Sequence, residues 1–98
     1  MSDSEFKEYW QKVHGPIASK LTGLRRYVQN VASYPEGKGP EYQGVAEMWF
    51  DHIEGMKQAF ATEQGQTTLK DMNYFVGSHT TIFADEHFVV ENDQNSTN

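Results

Sequence analysis

The chain carries four histidines, His14, His52, His79 and His87. An unperturbed imidazole exchanges its proton near neutrality, so these are the first residues to weigh for chemistry. His14 has the most suggestive neighbour: it follows Trp10 by four residues, which on a helix places an indole one turn away. A histidine so placed can serve as a general acid and base, and the competing role is a hydrogen bond to backbone at the Gly15-Pro16 break. No His-x-x-x-His or His-Glu-x-x-His spacing occurs. Asp85-Glu86-His87 cannot converge on a metal if extended, because neighbours in a strand point to opposite faces. With no cysteine in the chain, thiol nucleophiles, cysteine-ligated metals and disulfides are excluded. There is no glycine-rich phosphate loop, serine nucleophile elbow or dinucleotide fingerprint. Neither a metal nor a cofactor is expected.

A second group of candidates surrounds Glu47. In the run Val45 to Asp51, alternation separates Ala46, Met48 and Phe50, a core face, from Val45, Glu47 and Trp49, where a carboxylate beside an indole suits a cavity wall. Desolvation there would raise the Glu47 pKa and let it orient a histidine or accept from a substrate hydroxyl. An ion pair with Arg25 or Arg26 on the neighbouring strand is the slightly favoured alternative. Alternation allows only one of these arginines on the pocket face, without saying which. Tyr27, Trp49 and Tyr74 could clasp a flat aromatic ligand, although core packing is the more common use of such residues. Asp71 reads first as a helix cap.

The elements that must position these groups follow from periodicity. Phe6, Tyr9, Trp10, Val13 and Ile17 form one helical stripe over residues 2–17, with Ser2 and Glu5 in capping-box spacing and His14 at the edge of the stripe. Residues 24–31 and 45–51 read as strands joined by a loop over 33–44 that holds two prolines and three glycines. Ile53, Met56, Ala59 and Phe60 mark a second helix, and after Gly65 a shorter stripe follows in Leu69, Met72, Phe75 and Val76. A last strand is expected over 78–84, with 88–90 continuing the extended course, and 92–98 is a polar tail. The order helix, strand, strand, helix, strand is an α+β pattern.

Composition narrows the partners. The 98 residues allow one core, and 13% aromatic residues argue against disorder. The net charge of −6, with no basic cluster beyond Arg25-Arg26, disfavours nucleic acid. No apolar run reaches the ~20 residues of a membrane helix, so neither a membrane nor a secretory route is expected and the chain reads as cytoplasmic. A small molecule or a protein remains as partner.

Phe6, Tyr9-Trp10, Val13-His14-Gly15-Pro16, Gly23-Leu24-Arg25-Arg26-Tyr27, Glu47-Met48-Trp49-Phe50, Asp71 with Phe75, and Glu86-His87 together resemble the EthD-like family over about residues 2–91. The resemblance implies a ferredoxin-like βαββαβ protomer of the dimeric α+β barrel superfamily, a homodimer with a ligand pocket between sheet and helices or within the barrel. Family members open with a strand of about eight residues, by ordinary strand lengths, whereas this chain opens at the helix cap. A shortened chain or a misassigned start is the expected reason, and a three-stranded protomer the alternative. Asp71 with Phe75 resembles the family's Asp motif. Related barrel enzymes use a histidine near position 14 in cofactor-free proton transfers.

The expected activity is therefore cyclisation, dehydration or isomerisation of a polyketide-like, phenolic or lactone substrate. His14 would be the acid/base, Glu47 and one of Arg25 and Arg26 would orient or polarise, and Trp10, Tyr27, Trp49, Asp71 and Tyr74 would bind substrate. The alternative is a non-catalytic module that holds a hydrophobic or aromatic small molecule for a partner oxygenase or an ether- or aromatic-degradation pathway. A haem-degrading monooxygenase is weaker, since no histidine sits in an evident axial-ligand context.

Overall fold

The computed structural model describes residues 1–33 and 42–90. Its first helix starts at the predicted capping box: the Ser2 hydroxyl accepts from the Glu5 amide at 3.2 Å, and Glu5 Oε1 accepts from the Ser2 amide at 3.0 Å. Hydrogen bonding from the Ser2 amide, and then from the Ser2 hydroxyl, holds the Glu5 carboxyl below its ordinary pKa. The helix runs through α1 (Asp3–Tyr9), a π-helical turn (Trp10–His14) and α2 (Gly15–Ala18). In the wide turn the Gly15 amide donates to the Trp10 carbonyl, five residues back. Pro16 follows at once, lacking an N–H and crowding the carbonyl four residues earlier, so the turn loosens where a regular ladder could not continue.

This turn corrects the expected position of His14. Each residue of an α-helix advances by about 100°, which would leave His14 at the edge of the apolar stripe. A residue in an i→i−5 turn advances by less, so His14 rotates to the centre of the stripe above Trp10, and Val13 rotates out. His14 keeps only 5% of its surface exposed, whereas Val13 keeps 41%.

After α2 the chain reverses through Gly23, whose φ of +81° is a conformation that side chains resist. It then forms the antiparallel hairpin β1 (Arg26–Val31) and β2 (Gly44–Trp49), registered from Arg26 opposite Trp49 to Val31 opposite Gly44. Directly opposed residues share a face. Tyr27, Gln29, Ala46 and Met48 turn toward the helix, with Gln29 bonded to the Trp10 carbonyl at 2.9 Å. Arg26, Val28, Asn30, Val45, Glu47 and Trp49 form the outer face. The separation of Ala46 and Met48 from Val45, Glu47 and Trp49 is as alternation predicted.

Helices α3 (Ile53–Ala61) and α4 (Glu63–Phe75) are joined by the single residue Thr62, whose hydroxyl donates to the Ala59 carbonyl at 2.6 Å and accepts from the Gly65 amide at 3.0 Å. Gly65 was expected to separate two stripes. It lies instead in the first turn of α4, so close to Ala59 and the Phe60 backbone that a Cβ would collide with them, and α4 is the longer of the two helices. The core is Phe6, Trp10 and Phe75, flanked by Tyr9 and Val76.

The architecture is α+β, with a sheet of two strands among the described residues. The strand expected over 78–84 does not form: residues 77–90 run irregular and exposed. β-branched content alone cannot make a strand, which exists only where a neighbour accepts its ladder. Most of the 33–44 loop, residue 91 and the 92–98 tail lie outside the described residues. Among the described residues, no helix is long and apolar enough to cross a membrane.

At Gly44 sheet and helix approach closely: a Cβ there would lie 2.5 Å from the Trp10 ring and 2.7 Å from the Asn30 carbonyl. Gly44→Ala should destabilise the protein by about 1–3 kcal/mol, the range for overpacking, read as a lower midpoint in urea unfolding.

Candidate functional site

Three side chains from two helices meet beside the core. His14 Nδ1 lies 2.8 Å from Asp71 Oδ2, and the Tyr9 hydroxyl donates to Asp71 Oδ1 at 2.5 Å. The imidazole is 6% exposed and the carboxylate 14%, so the pair is largely shielded from water. A carboxylate that accepts from Nδ1 fixes the imidazole's orientation and leaves Nε2 as the reactive nitrogen. Asp71 is not a cap. It sits four residues before the end of α4, on the side of that helix turned to the π turn.

Aromatic rings enclose the group. Phe75 lies 4.9 Å from the His14 ring and 5.1 Å from Tyr9, and Phe6 bridges Trp10 and Phe75 at 5.4 and 5.5 Å between centroids. Tyr74, otherwise exposed, packs on Tyr9 at 5.4 Å. On the sheet side of the helix, Gln11, Gly15, Pro16, Ser19, Tyr27 and Gln29 line an open groove, and Gln29 donates to the Tyr27 hydroxyl at 3.0 Å.

Of the residues singled out from the sequence, His14 and Asp71 meet, Tyr74 packs on Tyr9 beside them, Trp10 is buried in the core below, and Tyr27 stands in the neighbouring groove. Glu47, Arg26 and Trp49 lie on the outer face of the hairpin instead. The ion pair expected between Glu47 and an arginine does not form. Glu47 accepts from Asn30 Nδ2 at 2.7 Å, because Asn30 is its neighbour on that face. Arg26, opposite Trp49, lays its guanidinium 4.7 Å from the indole centroid. Arg25 pairs with Asp51 at 3.3 Å on the surface, so Arg26 is the arginine that shares the Glu47 face.

Tyr9 and Gln29 were not picked out from the sequence. Each had a signal: a hydroxyl on an apolar stripe, or an amide on the helix-facing side of a strand, requires a polar partner once buried.

The Tyr9 hydroxyl has its pKa raised from 10.0 to about 12, first because it donates to Asp71, then through burial and the nearby Asp71 and Tyr74 charges. A raised phenol stabilises the fold fully below its unfolded pKa near 10, and that contribution is lost as pH climbs through about 12. In spectrophotometric titration, wild type minus Tyr9→Phe should show one phenolate transition centred near pH 12. A difference centred near 10 would mean that the bond to Asp71 does not persist in solution.

Relatives bear on the site as well. The chain is 27% identical over 86 residues, 87% of its length and 84% of the other's, to an uncharacterized 11.0 kDa protein in the thcB-thcC intergenic region of Rhodococcus erythropolis. Its fold matches the crystal structure of an ethyl tert-butyl ether D (EthD) family protein from Bacillus halodurans, with a TM-score of 0.69 and 26% identity over 76% of this chain and 74% of that one. The sequence pattern of the EthD domain matches residues 1–79. That match takes in the helix bearing Tyr9 and His14, the hairpin, and the helix bearing Asp71, and the chain belongs to the EthD domain family.

Proposed function

We propose that the protein is a cofactor-independent acid/base enzyme that cyclises, dehydrates or isomerises a polyketide-like, phenolic or lactone substrate, with His14 as the proton-transfer group. The observation that carries this reading is the 2.8 Å contact between His14 Nδ1 and Asp71 Oδ2 in a largely water-shielded site. Nε2 is the nitrogen left to take a proton from carbon next to a carbonyl. The resulting imidazolium can return that proton elsewhere on the substrate, or give it to a departing hydroxyl that leaves as water. Tyr74, exposed and packed on Tyr9, offers a flat apolar contact for such a substrate.

The unpaired surfaces support a homodimer. The outer hairpin face exposes Val45 at 58%, and the irregular C-terminal segment exposes Ile82, Phe83, Phe88, Val89 and Val90 at 62–84%. Apolar groups of that number left exposed on a small chain call for a covering layer, and a second copy supplies it. Glu47, Arg26 and Trp49 would then face the partner, where they can contribute to a shared pocket. Light scattering should return twice the 11.2 kDa chain mass, and a monomer at micromolar concentration would overturn this part of the reading.

The catalytic role is tested by deuterium exchange from heavy water into simple 1,3-diketones and aryl ketones, followed by NMR. His14→Gln should fold, since the amide keeps a hydrogen-bonding group, and should lose ~10²–10⁴-fold in exchange rate. His14→Ala should do the same at a stability cost of about 3 kcal/mol, because it leaves Asp71 short of a partner inside the fold. Exchange retained in His14→Gln would sink the acid/base role. Ligand binding without exchange in wild type would favour the accessory module.

A further inference from the structure

We infer that Tyr9 is a positioning residue of this site, one that pins the Asp71 carboxylate so that its second oxygen holds His14 in the tautomer with a proton on Nδ1 and a free Nε2. The consequence for turnover rests on the proposed acid/base role, whereas the tautomer itself is measurable without it.

The geometry is specific. Tyr9 and His14 are five residues apart, and in an α-helix two such side chains diverge by about 140°. They converge on one carboxylate here because the turn between them closes with the Gly15 amide on the Trp10 carbonyl, one residue wider than an α-turn. The Trp10 carbonyl also accepts from Gln29 Nε2, so the wide turn is braced from the sheet. Each donor takes a different Asp71 oxygen, Tyr9 the Oδ1 and His14 the Oδ2. A carboxylate gripped by one donor can swivel about its χ2 torsion, which is broad, whereas two donors on separate oxygens fix its plane. Among the described residues, the titratable groups around His14 are Tyr9 on α1 and Asp71 on α4, with Tyr74 behind Tyr9. Tyr9 is thus the one whose removal changes Asp71 without touching the histidine.

The experiment is ¹⁵N NMR of the His14 ring in the full chain at pH values where the imidazole is neutral. Wild type should show a predominantly Nδ1-protonated ring and an exchange-protected proton on the Tyr9 hydroxyl. Tyr9→Phe should retain the fold and turn the ring into a mixture of both tautomers. In the diketone assay kcat should fall by about tenfold while KM is unchanged. Asp71→Asn serves as the reference for full loss, because a carboxamide can donate to Nδ1 and stabilise the opposite tautomer. An unchanged tautomer in folded Tyr9→Phe would overturn the inference. If that variant does not fold, wild type decides: an Nε2-protonated ring, or a Tyr9 hydroxyl proton in fast exchange with water, overturns it, and the protected pair sustains it. An inactive wild type with the expected tautomer shift would remove the proposed enzyme activity and leave the Tyr9 role standing.

Discussion

The carbonyl of Trp10 accepts two hydrogen bonds, one from the Gly15 amide and one from the Gln29 side chain, so the first helix and the hairpin register on one atom. The first bond widens the helix, and the second ties that wide turn to β1. The close seat of Gly44 against the Trp10 ring follows from the same contact, since a sheet held this near has room for nothing larger. Helix packing on the other side follows too: Phe6, Trp10 and Phe75 form one cluster, and Gln64 Nε2 donates to the Ile17 carbonyl at 2.8 Å, which fastens α4 to the end of α2. A regular helix through this segment would carry the same residues and present a different face.

Much of the fold was legible because its signals are local. The Ser2–Glu5 capping box, the Phe6 and Trp10 stripe, the two hairpin strands within one or two residues, and the division of β2 into two faces depend only on residue types at short spacing. What misled was non-local or irregular. Periodicity counted at 100° per residue cannot see a π turn, so His14 was placed at the edge of a stripe whose centre it occupies. Helix propensity around Gly65 cannot register that Thr62 alone makes the break, with a hydroxyl that bonds both ways. The strand expected over 78–84 has the right residues, but a strand is a property of two segments and only one of them was visible.

The site shows the same division. His14 and Asp71 were both named, yet as unrelated residues, because 57 positions separate them and their meeting depends on how α4 lies across the wide turn. Tyr9 was read as apolar filling, and its hydroxyl, the part that matters, has no signature in a hydrophobic pattern. Glu47 and Trp49 were correctly grouped on one face, and which arginine joins them was left open until the register placed Arg26 opposite Trp49. Alternation could not say that this face looks away from the helices and from His14.

The exposed segment after α4 carries its apolar residues in two short runs, Ile82-Phe83 and Phe88-Val89-Val90, separated by Asp85-Glu86-His87. A continuous stretch of such β-formers, free of charge and proline, is the composition that stacks into cross-β aggregates. Two adjacent carboxylates in its middle make every in-register stack place like charges on top of one another, at the strand spacing of about 4.8 Å. The chain can therefore display this segment to water while like-charge repulsion between Asp85 and Glu86 of neighbouring copies opposes its self-stacking.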